Sequence, residues 1–520
     1  MLCSTFCPFR FIIWLSETSG RFARGTVLTF CARPVWAGAC DARCEQSLRS
    51  CSNCVRLSLL TTTAPLWHNR RNIACKTMKQ TVLVLFVLWS SLCAAATEST
   101  SKSQAFDVLH YNVRIEPDIS RKSVAGTVSI KLVATAKRVT EIELNCGALT
   151  IDSVREKGKA QKFVRRDNLL IISLITPATA GQRREIEIDY HGTPGWGIQF
   201  FPERQQVYTV FSTSRWMVCV DAPSDRATVQ FQLILPAHLT GVSNGRLNGQ
   251  RPLPNNRISY EWRQDFPIPT YIFGFAAGPF RTVTERRGRV ELRYLATEFS
   301  DDELRRIFRD TASMIEFYEE RSGVKYADTI YTQVLAAGGV AQEMSSFTAI
   351  HETYGREVLK NEKAVGLGAH ELAHQWWGNM VTNRDWTHFW LNEGIASFMA
   401  SAFKEYRFGR QEYLRDIEEY RANYEKVRNA GKDRSLVFPD WDRPTREDRT
   451  LVYDKGAYVV HLLRERLGED AFWTGIRQYT RKYFGQSVTT PEFQAEMEKA
   501  SQKDLTDFFD QWVYLRKKLF

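Results

Sequence analysis

Residues 365–398 read VGLGAHELAHQWWGNMVTNRDWTHFWLNEGIASF. Two histidines, His370 and His374, stand four apart, and Glu371 follows the first directly. Residues four apart in a helix lie on one face, so a helix here aims two imidazoles at one point. Glu371 then sits close enough to act on a water bound to the ion they hold. A second carboxylate, Glu393, comes 19 positions after His374, in the helix-like segment LNEGIASF. If that segment packs alongside the first helix, Glu393 is a third ligand. A catalytic zinc takes three protein ligands and keeps a fourth position open. His370, His374 and Glu393 are therefore the candidate ligands of one Zn2+ per chain, and Glu371 is the candidate general base. The bland alternative is a helix with two hydrogen-bonded histidines, which the spacing and the flanking residues disfavour.

Upstream of this stretch the texture changes twice. From about 104 to 290 apolar residues alternate with polar ones. Val128, Ile130 and Leu132 interleave with Thr127, Ser129 and Lys131, and Ile186, Ile188 and Tyr190 repeat the period of two. Turn-rich stretches such as SNGRLNG and LPNN punctuate them. Strand after strand without helical periods predicts an all-β, sandwich-like domain over 104–290. At Ser300 the pattern switches. Ser300 with Glu303 forms a capping box, and Leu304, Ile307, Phe308, Ile315 and Tyr318 follow a helical period. Thr490-Pro491-Glu492 marks another helix start. A mainly helical second domain is expected over 291–520. Two or more domains also suit 520 residues, too many for one core.

The net charge of +11 does not mark a nucleic-acid binder. Residues 1–77 hold ten Lys/Arg against three Asp/Glu, and the remaining 443 residues hold 60 against 56. The basicity belongs to the front end, and no basic face interleaved with aromatics is present. Nine of the eleven cysteines lie at or before Cys93, which leaves Cys146 and Cys219.

From Met78 the chain reads MKQTVLVLFVLWSSLCAAATEST. Lys79 supplies positive charge, Thr81 to Trp89 is apolar, and Ala94-Ala95-Ala96 offers a small-x-small cleavage site. Residues 78–96 thus read as a secretory signal peptide, too short in its apolar run to span a bilayer well. Translation starting at Met78, with 1–77 absent from the natural protein, is the simplest account. The rival takes Cys40, Cys44, Cys51 and Cys54 as a small zinc or disulfide module, with irregular spacing. The expected location is secreted or otherwise extracytoplasmic after cleavage near Ala96, with no membrane span in the mature chain.

HELAHQWWGN followed by LNEGIASF resembles the zinc aminopeptidases of the gluzincin class, the group of aminopeptidase N, aminopeptidase B and leukotriene-A hydrolase. GNMVTNRDWTHFWLNEG is similar to the aminopeptidase B and leukotriene-A hydrolase branch. LVYDKGAYVVHLLRERLGEDAFWTGIRQY resembles the family segment with a transition-state tyrosine, which falls on Tyr453. DVLHYNVRIEPD, PIPTYIFGFAAGPF and DLTDFFDQWVY resemble the family's opening strand, the end of its β domain and the end of its catalytic domain. The resemblance implies a thermolysin-like α+β catalytic domain and hydrolysis of the N-terminal bond of peptides with a free N-terminus.

Two departures accompany the resemblance. The family's exopeptidase signature, Gly-x-Met-Glu-Asn, meets AAGGVAQEMSSF here. Glu343 is present, but Met344 follows where Asn is usual. The resemblance implies that Glu343 binds the substrate α-amine and that Gly338 and Gly339 allow close backbone approach. In VYTVFSTSRWMVCVDAP, Val210 stands where the family carries a Gln that helps the glutamate. The chain stops at Phe520, as in a short form lacking the family's C-terminal helical domain, which implies a more open site. Two other functions stay open: a gluzincin hydrolase of other specificity, such as an endopeptidase or epoxide hydrolase, and a non-catalytic peptide-binding scaffold.

Overall fold

The computed structural model describes residues 105–516, except 440, 442 and 443, with the backbone of short strands between Phe9 and Leu59. The chain divides into two units, Met1–Ser101 and Lys102–Phe520. Segment 78–96, which the sequence reads as a signal peptide, and Cys40, Cys44, Cys51 and Cys54 lie outside the described residues.

The second unit opens with an eight-stranded sheet. In the strand Ser123–Ala134, Val128, Ile130 and Leu132 are buried while Lys131 is exposed, so one face enters the core. The strand Phe106–Asp118 is central. It pairs antiparallel with Ser123–Ala134 and parallel with Arg226–Pro236, which sets Val113 opposite both Val128 and Phe231. A three-stranded sheet, Lys162–Arg166, Leu169–Ala178 and Val139–Asn145, shares its core through Ile142, Leu144, Leu170 and Ile172. A four-stranded sheet from Ile198 to Gly278 completes this β-rich half. Cys146 and Cys219 are buried free thiols within it.

The second half begins with a mixed sheet ordered Arg281–Arg287, Val290–Ala296, Ile330–Ala336, Phe347–His351. Its first two strands form an antiparallel hairpin, so the break in the fold falls before Arg281, and residue 290 lies inside the hairpin. The capping box at Ser300 and Glu303 opens helix α1 (Asp301–Ile307). The helical period read through Tyr318 is two helices, because Phe308 ends α1 and Asp310 starts α2 (Thr311–Ser322). Helix α3 (Glu352–Lys360) then leads to α4 (Gly366–Ala373), α5 (Trp390–Phe408) and α6 (Arg410–Asn429). A short α7 (Arg446–Thr450) runs into a π-turn, Leu451–Lys455, and on into α8 (Gly456–Leu467). The start near Thr490 carries its capping box one residue earlier, between Thr489 and Glu492. The fold is thus a β-rich N-terminal domain followed by a mainly helical catalytic domain. Among the described residues no helix is long and apolar enough to cross a membrane.

Candidate active site

Helix α4 carries His370 within it and His374 at its end. Trp376 and Trp377, both fully buried, pin the chain beyond the helix by donating to Val324 O and Thr480 Oγ1. Helix α5 lies alongside α4 and brings Glu393 to the two imidazoles. Glu393 Oε2 is 3.3 Å from His370 Nε2 and 3.4 Å from His374 Nε2, and the two Nε2 atoms are 3.0 Å apart.

These distances suit a tetrahedral cation. With metal–ligand bonds of about 2.0–2.1 Å, tetrahedral ligand atoms sit about 3.3 Å from one another. The other imidazole nitrogens are engaged elsewhere: His374 Nδ1 with Trp377 O at 3.0 Å, and His370 Nδ1 with Ser397 Oγ at 3.3 Å. The Trp377 carbonyl can only accept, so His374 donates from Nδ1 and its Nε2 lone pair is left facing the ligand cluster, where a cation would meet it. Glu393 Oε2 is buried with only the two imidazole Nε2 nitrogens near it, so when both are unprotonated a cation must meet it. Zinc fits this donor set.

The surroundings are anionic. Glu343, Glu371 and Glu393 are all buried within charge-interaction range of His374. Burial lowers His374, but Glu393, Glu343 and Glu371 outweigh it and push the imidazole up to about 10. Burial alone would raise Glu393, yet His374 and His370 hold it down at about 2. Burial pushes Glu371 well above the ordinary carboxylate range, and Glu343 up to about 7. Without an ion, a proton on His374 offsets these carboxylates; a divalent ion held by His370, His374 and Glu393 takes that proton's place and leaves both imidazoles neutral.

Tyr453 sits in the π-turn, and its ring stacks on His370 at 5.9 Å between centroids. Burial, then the charges of Glu393, Glu343 and Glu371, push its phenol up, so it remains a proton donor. The turn is anchored from behind. Lys455, fully buried, donates to Asp433 Oδ1 at 2.8 Å and to Arg434 O at 2.9 Å. π-turns recur at functional sites because the extra residue re-aims a side chain. The first residue of α8, directly after the turn, meets α5 through two glycines. A Cβ placed on Gly394 would lie 2.8 Å from Gly456 Cα, and one placed on Gly456 would lie 2.9 Å from Gly394 Cα, so the two backbones approach as closely as only glycines permit, next to Glu393 and three residues after Tyr453.

Glu343 lies on a segment that returns along the edge strand Phe347–His351, with Gln342 bridged to Ala349. Two side chains beyond His374 fix this segment to α4. Gln375 Nε2 donates to Met344 O while Gln375 Oε1 accepts from Ser346 N, each at 3.0 Å. Asn379 Nδ2 donates to Glu343 O at 2.9 Å. Glu343 Oε1 is buried with no partner. Gly338 has φ +108°, and its missing Cβ leaves room for Phe201 and the Tyr208 hydroxyl. Gly339 has neither a positive φ nor a neighbour within 4 Å of an added Cβ. Val210 is buried, and the side chain beside Glu343 is Gln342 instead. A cavity of about 640 Å³ opens between Val340 and Arg449, walled by Trp196, Phe200, Phe201 and Phe211. Gln342, Gln375, Asn379 and Ser397 escaped the sequence reading. Gln375 and Asn379 stand within five residues of His374, and that nearness was the one available signal.

The chain matches the peptidase M1 N-terminal domain over residues 108–272 and the peptidase family M1 domain over residues 307–512. It belongs to peptidase family M1. It is 25% identical over 452 residues to leucine aminopeptidase 2 of Ajellomyces capsulatus, covering 80% of this chain and 71% of that one. It is 29% identical over 296 residues to aminopeptidase N of Escherichia coli, covering 51% and 32%. With the alanine/arginine aminopeptidase of Saccharomyces cerevisiae the figures are 21% over 437 residues, 78% and 51%. The chain therefore spans about a third and a half of the last two relatives. In three dimensions it is similar to an M1 zinc metallopeptidase of Deinococcus radiodurans, solved as a mutant with a Tyr-Ser-Ala substrate. The TM-score is 0.68 at 22% identity, over 80% of this chain and 96% of that one. Like its M1 relatives this chain is a zinc-dependent metallopeptidase, and His370, His374 and Glu393 are the residues that fit the ion.

Proposed function

We propose that this M1 peptidase is an aminopeptidase that removes the N-terminal residue of peptides. The observation that carries this reading is Glu343: a buried carboxylate with one oxygen unpartnered, next to the ligand cluster. An unpaired carboxylate oxygen in a buried site is costly unless a cation meets it, and a peptide's α-ammonium is such a cation. Pairing there would fix the register, so that the first peptide bond lies over the ligand cluster.

When bound, zinc supplies a Lewis acid that lowers the pKa of a water molecule and polarises the carbonyl under attack. Glu371 takes the proton from the attacking water and later hands it to the leaving amine. Its carboxyl is buried, so the transfer is shielded from bulk solvent. The Tyr453 hydroxyl donates a hydrogen bond to the carbonyl oxygen as negative charge develops on it. His370 is held by Ser397 and His374 by the Trp377 carbonyl, so neither ring has to reorient during turnover. The scaffold reading needs part of this set to be missing, and every member is present.

Assay of free and N-acetylated forms of the same peptide tests the proposal. The free form should be cut much faster. Equal rates would point to an endopeptidase and defeat the aminopeptidase reading. We also propose that the mature protein is extracytoplasmic. The support is the sequence of 78–96, and N-terminal sequencing of the protein from its native source should find it starting just after Ala96.

A further inference from the structure

We propose that Gln342 is a positioning residue for the α-amine site: it holds one oxygen of Glu343 and leaves the other for the substrate ammonium. This rests on the aminopeptidase reading above and concerns how its specificity is built.

Gln342 and Glu343 are adjacent in the chain, and both are buried, at 1% and 3% exposure. Neighbours in an extended strand point to opposite faces, so side chains that meet need the backbone to depart from that pattern. Here the Gln342 side-chain amide donates to Glu343 Oε2. Its carbonyl oxygen, Oε1, accepts from the Phe211 backbone N–H at 2.7 Å. The second bond decides the first. A primary amide can present either end to a neighbour, and a backbone N–H on Oε1 leaves only the NH2 group for the carboxylate.

The Gln342 backbone is equally constrained. Its N–H and C=O pair with Ala349 at 2.9 and 3.2 Å, and Thr348 Oγ1 donates to the same carbonyl at 2.8 Å. The Phe211 N–H is delivered by an unusual backbone. Phe211 and Ser212 have φ of 40° and 42°, two consecutive non-glycine residues in the left-handed region. Such strain persists where surrounding structure imposes it, and it collects at sites that need a particular group aimed in a particular direction. Here the strain turns one N–H from the β-rich domain toward a side chain of the catalytic domain.

The two oxygens of Glu343 thereby become unequal. Oε2 has a donor, and Oε1 is buried with none. A carboxylate free to rotate would offer either oxygen at a cost in order; one held at Oε2 offers Oε1 in a single direction. The β-rich domain takes part through a main-chain group, since Val210 brings no polar side chain.

The test uses Gln342→Met, close to Gln in size but without a donor, with Gln342→Leu as a second probe. Expected results with an aminoacyl-coumarin substrate are a KM raised about tenfold or more, kcat within about threefold, and full zinc content. Competitive inhibition by an N-acetylated peptide, which has no ammonium, should not change. In a Glu343→Ala background, adding Gln342→Met should alter KM less than about twofold, since the partner is gone.

If Glu343→Ala raises KM and neither Gln342 variant does, the positioning role is wrong while the aminopeptidase reading stands. If Glu343→Ala behaves like the wild type, the amine-site reading itself falls. Weakened binding of the N-acetylated peptide, or failure of both Gln342 variants to fold, would show a packing role and overturn the proposal.

Discussion

Gly394→Ala adds one methyl group and should disable the enzyme without removing its metal. The Cβ would stand 2.8 Å from Gly456 Cα, 2.9 Å from Gly456 C and 3.2 Å from Val452 O. All three obstacles are backbone, so no rotamer change relieves the clash. Ordinary carbon–carbon contact needs about 3.5–4.0 Å, so α5 and the π-turn must separate by about 1 Å. Overpacking of this kind costs about 1–3 kcal/mol, while replacing a helical glycine by alanine returns up to about 1 kcal/mol. The net destabilisation is therefore modest. The catalytic loss is larger, because Tyr453 lies three residues before Gly456 and moves with it. Complete loss of one oxyanion donor costs about 2.7–4 kcal/mol, and a misplacement of about 1 Å can cost about a hundredfold in rate. We expect kcat to fall about 10- to 100-fold, with KM nearly unchanged, because the hydrogen bond proposed for Tyr453 forms only in the transition state. Zinc content should stay stoichiometric, since α4 and α5 still face each other. The assay is steady-state kinetics with metal analysis and a thermal melt, repeated in a Tyr453→Phe background. There Gly394→Ala should add little. A kcat within twofold of wild type, or an equal further drop in the Tyr453→Phe background, would refute the coupling between the glycine pair and the tyrosine.

Glu371→Gln should retain zinc and lower kcat by about a thousandfold or more, as removal of a general base and acid together demands; metal analysis and kinetics check both. Gly338→Ala should destabilise by about 1–3 kcal/mol, because φ is +108° and the Cβ would meet Phe201 and Tyr208, whereas Gly339→Ala should melt within a degree or two of wild type. Asp225, buried and facing Asp107 and Tyr111, is raised by burial from its ordinary 3.8 to about 8. The folded state therefore holds a proton that the unfolded chain has lost between those values, so stability is full below about pH 4 and declines toward pH 8. The decline is at most about 1.4 kcal/mol per pH unit. Asp225→Asn should flatten the melting profile across pH 5–8 and leave zinc content unchanged; an unaltered slope would rule Asp225 out as its source.

The metal-binding turn was legible in the sequence because its geometry is local. A helix of 3.6 residues per turn places His370 and His374 on one face whatever surrounds it, and a carboxylate beside His370 is then within reach of a bound water. The alternation in Ser123–Ala134 and the capping box at Ser300 were legible for the same reason, since each depends on residues a few positions apart. Glu393 was readable only as a conditional ligand. Its place depends on α5 packing against α4, and its distance from Tyr453 on Gly394 meeting Gly456 across 62 positions of chain. The break between α1 and α2 was hidden because both helices bury the same apolar face, so the period continues across the gap. The surroundings of Glu343 were the part tertiary structure alone decided. From the sequence, Val210 left Glu343 without a helper. In the folded chain the β-rich domain supplies a main-chain N–H, and Gln342 carries the hydrogen bond from there to Glu343. A main-chain donor has no residue letter, so only the approach of two domains could reveal it.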